Sequence, residues 1–505
     1  MQTAVQNSRV EEPGSKASAG PPAISLELDW AVPAKVRARM EYAFRVFAAI
    51  YGHAVVGPGG TSRAVRFRYA ANAEAGGDPE SISIPTRYRV HGADEPAYGS
   101  APPSFVNVAG EAIPLFLGTD PISGNPDWLG EIFLWLSGEL ELGAKKRDTV
   151  GRIPFSETPF AKFGISAERP YAGLVMAWLE NALLGNGVSA LPRAPSPVAN
   201  CEHIVLPSHD IDYYYSGTGS AFVRLAKNLA IAVRLYKNGS YFADNLRALL
   251  GVFSGKRPGD YLVPLLDAAQ ASGFESTFFV VSRRSHPRDP NYSLETIASP
   301  IAKAIARGFS PGLHGSYRSV MEDRSLAGEA SILSERFAKR IRTNRQHWLR
   351  FATHRSLFRE LEAAGMFADS SLGFPESAGF RNGASFAFPP YDFERECAHR
   401  FLEIPLVLMD GGVEAEARQS GRDPGKIADA VLDASRKTGW GGISILWHNP
   451  IEPLSVPREI NEIFWRLAAQ RKDSKEEWLT FDRFLAAVLP RYQQAGLMEG
   501  IRVNA

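Results

Sequence analysis

The stretch IVLPSHDID, residues 204–212, decides how the rest of the chain is read. Ile204, Val205 and Leu206 form the short apolar run of a buried strand, and it ends in Ser208, His209, Asp210 and Asp212. Similar runs recur downstream: STFFVV from Ser276, SPGLH from Ser310, FLEIPLVLMD from Phe401 and ISILWH from Ile443. Between several of them lie helix-patterned stretches such as LVPLLDAAQAS, LETIASPIAKAIARG and SLFRELEAAG. Strand and helix in alternation predict parallel strands joined by crossover helices, either a doubly wound sheet or a barrel. No glycine-rich phosphate turn follows the first strand, so the dinucleotide-binding version lacks its signature and a barrel is the expectation. In such folds the chemistry gathers where strands end.

Working outward, the clearest seam is GVSALPRAPSPVAN, residues 187–200, where Pro192, Pro195 and Pro197 forbid a regular helix and favour an extended connector. Before it, Pro33 to Ile50 reads as an amphipathic helix, VRFRYA from Val65 and the run Ser81 to Val90 as strands, and WLGEIFLWL from Trp128 as a helix. The expected organisation is a disordered leader (1–23), a smaller α/β or α+β domain (24–186), the Pro-rich linker (187–200) and the barrel domain (201–505). The first domain shows no catalytic cluster; its histidines, His53 and His91, stand alone.

Composition narrows the function classes. Lys and Arg total 56 against 55 Asp and Glu, which removes the electrostatic reason to expect a nucleic-acid partner. Two cysteines, Cys201 and Cys397, make neither a disulfide framework nor a zinc cage. The polar start of the chain carries no secretory signal and no apolar run is long enough to span a bilayer, so a cytoplasmic protein without a membrane span is expected.

The strand ends are rich in ligand-type residues. His314-Gly315-Ser316-Tyr317 closes one strand, Trp447-His448-Asn449-Pro450 another, and Arg345-Gln346-His347-Trp348 marks a third segment. Asp210 and Asp212 repel one another unless a cation lies near or one keeps its proton. A divalent metal on one carboxylate meets that need and leaves the other as a base. The same pair could instead cap a helix through backbone N–H groups. It is the joint placement of acids and histidines that points to a site.

With these residues in view, the chain from about Cys201 to Arg491 resembles the polysaccharide deacetylase (NodB-homology) family of carbohydrate esterases, in particular longer bacterial members with an extra N-terminal domain. The resemblance is carried by SHDID (208–212), STFFVV (276–281), GLHGSY (312–317), RQHWLRF (345–351), DSSLGF (369–374) with GFRNG (379–383), EIPLVLMD (403–410) and LWHNP (446–450). It implies a distorted (β/α) barrel that removes acetyl groups from N-acetylated sugars with a divalent metal, zinc first, nickel or cobalt otherwise. It implies Asp210 as general base, Arg345 as the arginine holding that carboxylate, Asp212 and His314 as metal ligands, and His448 as the acid for the leaving amine.

One departure stands out. Four residues on from His314, where the family's second metal histidine is expected, this chain has Arg318, and a guanidinium cannot ligate. His347 is the first candidate to replace it. His209 is the second, although as neighbour of Asp210 on an extended strand it should face the other way. An incomplete site would leave a catalytically inactive deacetylase-fold protein that binds a glycan. A non-sugar amide hydrolase is a third reading. The basic run Arg336, Lys339, Arg340, Arg342, Arg345 and Arg350 reads as a solvated helix face whose last members could reach an anionic sugar. Trp348, Phe374, Phe380, Tyr391 and Trp447 suit either sugar stacking or the core. Asp369 and Asp410 suit the cleft or a turn, and Tyr213, Tyr214 and Tyr215 could wall it. The partner expected is a saccharide; the oligomeric state is not legible.

Overall fold

Eight short strands whose residues alternate between two environments build the centre of the protein. The computed structural model describes residues 23–57, 64–70, 81–91, 98–185, 192–214, 218–255, 260–452, 454–471 and 474–502. The polar leader up to residue 22, residues 187–191 of the proline-rich seam and Tyr215 therefore lie outside the described residues. The N-terminal region holds a parallel sheet of β1 (Ile24–Leu28), β2 (Val65–Ala70) and β3 (Ser81–Pro85), and an antiparallel hairpin of β4 (Ser104–Val108) and β5 (Glu111–Leu115). The helices Ala34–Tyr51, Trp128–Ser137 and Tyr171–Leu183 pack with them.

The C-terminal region contains β6 (His203–Asp210), β7 (Thr277–Val280), β8 (Ser310–Gly315), β9 (Thr343–Gln346), β10 (Ala368–Asp369), a small hairpin of β11 (Tyr391–Asp392) and β12 (Cys397–Ala398), then β13 (Leu402–Glu403), β14 (Leu406–Met409), β15 (Gly441–Leu446) and β16 (Glu476–Trp478). The main sheet is parallel, in the order β13-β10-β9-β8-β7-β6-β15-β14, with β16 added beside the first half of β6. Its two ends are consecutive pieces of one stretch of chain. Read from sequence as a single strand, EIPLVLMD breaks at Ile404-Pro405, because proline has no N–H to give to a ladder. Ile404 N still bonds the Asp369 carbonyl (2.8 Å) and Ser444 N bonds the Pro405 carbonyl (2.8 Å), so the sheet closes into a distorted (β/α) barrel.

Strand alternation sorts the residues of β6. Val205 packs outward with Phe278, Ile443 and Ile445 against the crossover helices, whereas Ile204 and Leu206 join a core that includes Phe44, Phe47 and Trp135 of the N-terminal region. Those N-terminal residues thus pack against the barrel through one shared core. Further along the same inward face come Ser208 and Asp210, polar residues at the strand's C-terminal end. The interior is tight enough to require glycine at 312, where an added Cβ would come within 2.6 Å of the Phe279 ring. Among the described residues no helix is long and apolar enough to cross a membrane.

Candidate metal centre and active site

The C-terminal ends of β6, β8, β9 and β15 bring together every site residue expected from the sequence. Asp210 is the last residue of β6, and the Asp212 N–H bonds back to the Asp210 carbonyl (3.0 Å). Residues two apart share one face of an extended chain, and this turn keeps both carboxylates directed at the same histidine. His314 lies one residue from the end of β8, and its Nε2 is 3.5 Å from Asp212 Oδ1 and 3.6 Å from Asp210 Oδ2. His347 follows β9 directly, with its Nε2 3.6 Å from the same Asp212 Oδ1.

The far side of each ring is fixed. His314 Nδ1 donates to the Arg345 carbonyl (2.8 Å), and His347 Nδ1 donates to Asp289 Oδ1 (2.9 Å). Both acceptors lack a proton of their own, which places a hydrogen on Nδ1 of each ring and turns Nε2, the nitrogen a metal would take, toward Asp212. Asp212 Oδ1, the atom between the two rings, has no hydrogen-bond partner. Oxygen and nitrogen ligands about 2.0–2.2 Å from a tetrahedral ion lie ~3.3–3.6 Å apart. The observed separations match, so Asp212, His314 and His347 fit a divalent transition metal, and their N/O chemistry suits zinc. Burial acts against ionisation of Asp212, but the charge of His347, with His314 beside it, outweighs it and holds the carboxyl well below the ordinary range. Burial likewise opposes charge on His347, yet Asp212 and Asp289 on its two sides raise it to about 9.

Arg345 is fully buried beneath Asp210. Its Nη1 donates to Asp210 Oδ1 (2.9 Å) and Ser208 Oγ (2.8 Å), Nη2 to Ser444 Oγ (2.8 Å) and Ser370 Oγ (3.1 Å), and Nε to the Ser370 carbonyl (3.0 Å). The guanidinium also lies 4.5 Å from the centre of the Phe279 ring. A planar donor so fully engaged fixes one oxygen of Asp210 and leaves the other facing His314. Across the site, His448 receives the same treatment from Asp410, whose Oδ1 accepts from His448 Nδ1 (2.8 Å) and whose Oδ2 accepts from the His448 N–H (3.0 Å). Burial would lower the His448 pKa, but the Asp410 charge and hydrogen bond raise it well above an ordinary histidine, which favours the protonated ring. Its Nε2 stands 3.7 Å from Asp212 Oδ2.

Of the other residues singled out in the sequence, Asp410, Tyr213, Tyr214 and Trp348 border the site and the rest fall elsewhere. His209 is buried between Phe278 and Phe464, with Nδ1 on the Trp447 carbonyl (2.6 Å), on the outward side of β6. Arg318 pairs with Glu322 (3.1 Å), half exposed. Phe374, Phe380, Tyr391 and Trp447 are core residues, and of the five aromatics it is Trp348 that is exposed beside the site. Asp369 is buried on Asn344 Nδ2 (2.7 Å) and the Ser371 hydroxyl (2.9 Å). Of the basic run, Arg345 and Arg350 are locked into internal hydrogen bonds and cannot reach an anion. The cations at the site come from other segments. A cleft of about 570 Å³ leads to Asp212 and His347 between Tyr213, Arg224, Lys227, Arg284, Arg288 and Trp348. Asp289, Arg284 and Arg288 went unmarked in the sequence, although SRRSHPRDP follows STFFVV directly and so also lies at a strand end.

No protein-family model and no curated protein matches the chain. Solved structures with which it aligns include polysaccharide deacetylases. One, a Mycobacterium smegmatis protein described as a polysaccharide deacetylase, is 15% identical over 59% of this chain and 94% of its own, with a TM-score of 0.37. A family 4 carbohydrate esterase from Streptomyces lividans is 12% identical over 55% and 92%, with a TM-score of 0.27. Puue allantoinase is 12% identical over 61% and 94%, with a TM-score of 0.37. With identity this low, the chemistry of the site is carried by its own geometry.

Proposed function

We propose that the protein is a metal-dependent amide hydrolase that removes acetyl groups from an N-acetylated saccharide. The observation that carries this reading is the unpartnered Asp212 Oδ1, set between two histidine Nε2 atoms at ligand spacing. Asp212, His314 and His347 would hold a divalent ion, which would supply a Lewis acid for the acyl oxygen and make an attacking water more acidic. Asp210 takes the proton from that water, because Arg345 holds one carboxylate oxygen and leaves the other open. His448, protonated and oriented by Asp410, gives a proton to the departing amine. The saccharide follows from the motif resemblance and from Trp348 and Tyr213 in the cleft, whose ring faces suit a pyranose.

Asp210 and His448, each held by its own partner, Arg345 and Asp410, oppose a purely glycan-binding role, since binding alone requires neither a base nor an acid. The test is release of acetate from N-acetylated oligosaccharides by protein loaded with zinc, nickel or cobalt, compared with Asp212→Ala. Metal-dependent release that the substitution abolishes supports the proposal. Saccharide binding without turnover by fully loaded protein overturns it in favour of a glycan-binding protein.

A further inference from the structure

The chain between β6 and β7 is longer than a barrel crossover needs. Helix Leu262–Ser272 makes that crossover, and before it stands a helical hairpin: Thr218–Ile231, continued through Ala232–Tyr236, and Gly239–Phe253. Its inner face is built in. Ala221, Leu225, Ala232 and Tyr241 are buried, and Asn228 donates both to Asn245 Oδ1 (2.7 Å) and to the Leu454 carbonyl (2.8 Å) in the loop that follows His448.

The outer face is unlike the rest of the surface. Of the fifteen large hydrophobic residues that are exposed among the described ones, seven lie here: Phe222, Val223, Val233, Leu235, Leu246, Leu250 and Phe253. They are ordered by helical spacing. Leu246, Leu250 and Phe253 follow i, i+4, i+7 on the second helix, and Phe222 shares a face with Ala226, Ala230 and Val233 on the first. Phe222 and Phe253 meet edge to face (6.0 Å, 80°), joining the two stripes into one patch. Phe253 is 73% exposed and Leu250 58%. Contiguous apolar surface of this kind marks an interaction site.

Charge selects the occupant. Residues 218–253 carry Arg224, Lys227, Arg234, Lys237 and Arg247 against one acid, Asp244, which is held by Arg247 (2.8 Å) and Arg458 (3.0 Å). Lys227 and Arg234, seven residues apart, run along one side of the apolar stripe of the first helix. Glu459, on the neighbouring helix, accepts from Asn238. An apolar stripe edged by cations is the pattern of a helix that lies in the headgroup plane of an anionic bilayer. A second copy of the same face would set cation against cation. Val223, Arg224 and Lys227 also line the cleft that leads to Asp212, so whatever covers the hairpin sits at the cleft mouth.

We infer that this hairpin is a docking surface for an anionic lipid bilayer and that it presents the cleft to molecules held at that surface. The inference stands apart from the chemistry of the metal centre, since docking needs no turnover. The test is co-sedimentation of the full chain with vesicles of phosphatidylglycerol and phosphatidylcholine, beside vesicles of phosphatidylcholine alone. The wild type is expected to sediment with the anionic vesicles, less so at high salt. Combining Phe222→Ser, Leu250→Ser and Phe253→Ser should weaken this about tenfold or more, with acetate release from a soluble oligosaccharide unchanged. Should the triple variant fold poorly by circular dichroism, Arg234→Glu with Arg247→Glu leaves the apolar face intact and should weaken binding roughly fivefold per reversed charge. Wild-type protein that stays in the supernatant with anionic vesicles overturns the inference. So does light scattering that shows a dimer which the triple variant turns into a monomer.

Discussion

The ends of two neighbouring strands, β8 and β9, offer the same opportunity and use it differently. Beyond His314 at the end of β8, the polar groups bond one another: Ser316 with Glu329, the Ser319 hydroxyl with the Ser316 carbonyl, Arg318 with Glu322. Beyond β9 the chain takes two left-handed residues in succession, Trp348 at φ 64° and Leu349 at φ 48°. Such backbone costs on the order of 1–3 kcal/mol per non-glycine residue, and it persists where the surroundings enforce it. Here Arg152 from the N-terminal region donates to the Trp348 carbonyl (2.7 Å), and Arg350 donates to the Val150 carbonyl (2.8 Å). The turn leaves His347 facing Asp212 with Asp289 behind it. The difference teaches that a metal ligand is set by where the backbone delivers an imidazole, and that a fixed spacing from another ligand is only one way to deliver it.

The comparison breaks most visibly at its two key positions. His347→Ala should lower metal affinity by a hundredfold or more, whereas Arg318→Ala should stay within about twofold, as competition with a chromogenic chelator would show. A rate effect of similar size is expected without loss of metal: Asp210→Asn should keep the ion yet lower kcat about a hundredfold, because the base is gone while all three ligands remain. Next comes the support behind the ligand. Asp289→Asn should weaken metal binding ~10–100-fold, since the His347 ring loses the carboxylate that fixes it.

The pH dependence sharpens the contrast further. His347 in the metal-free protein is raised from 6.5 to about 9, so an incoming ion must displace its proton. Affinity should therefore climb about tenfold per pH unit and level off above the raised value, a limb that Asp289→Asn flattens. The sign for stability is the reverse. A histidine whose folded pKa is raised adds stability below its unfolded value of 6.5, and the metal-free protein loses that stability as pH rises through about 9. Differential scanning calorimetry of metal-free and loaded protein should show this alkaline loss in the former alone. The smallest effect is expected at Arg152→Ala, a roughly threefold loss of metal affinity from a loosened Trp348 turn, with the barrel's melting temperature little changed.

Much of this was legible in the chain. Apolar runs ending in polar residues located the barrel strands, and the strand-end rule drew Asp210, Asp212, His314 and His448 into one site before any geometry was known. The single strand read through EIPLVLMD hid the break at Pro405, because an apolar run looks the same whether it serves one sheet neighbour or bridges two. Asp289 escaped notice because its partner is 58 residues away and no local spacing links them. The basic run from Arg336 looked like one feature. Burial splits it, since Arg345 is enclosed at the barrel centre while Arg336 and Arg340 remain at the surface. The hairpin from residue 218 to 253 has helical periodicity on both faces, and sequence alone could not say which face the barrel covers.

The central claim is that His347 completes the metal centre in place of a ligand at position 318. Zinc-edge X-ray absorption of the loaded protein tests it most directly, because multiple scattering counts imidazoles. Two imidazole nitrogens and carboxylate or water oxygen at about 2.0–2.2 Å are predicted, falling to one imidazole in His347→Ala. A single imidazole in the wild type, or an unchanged count in the variant, would contradict it.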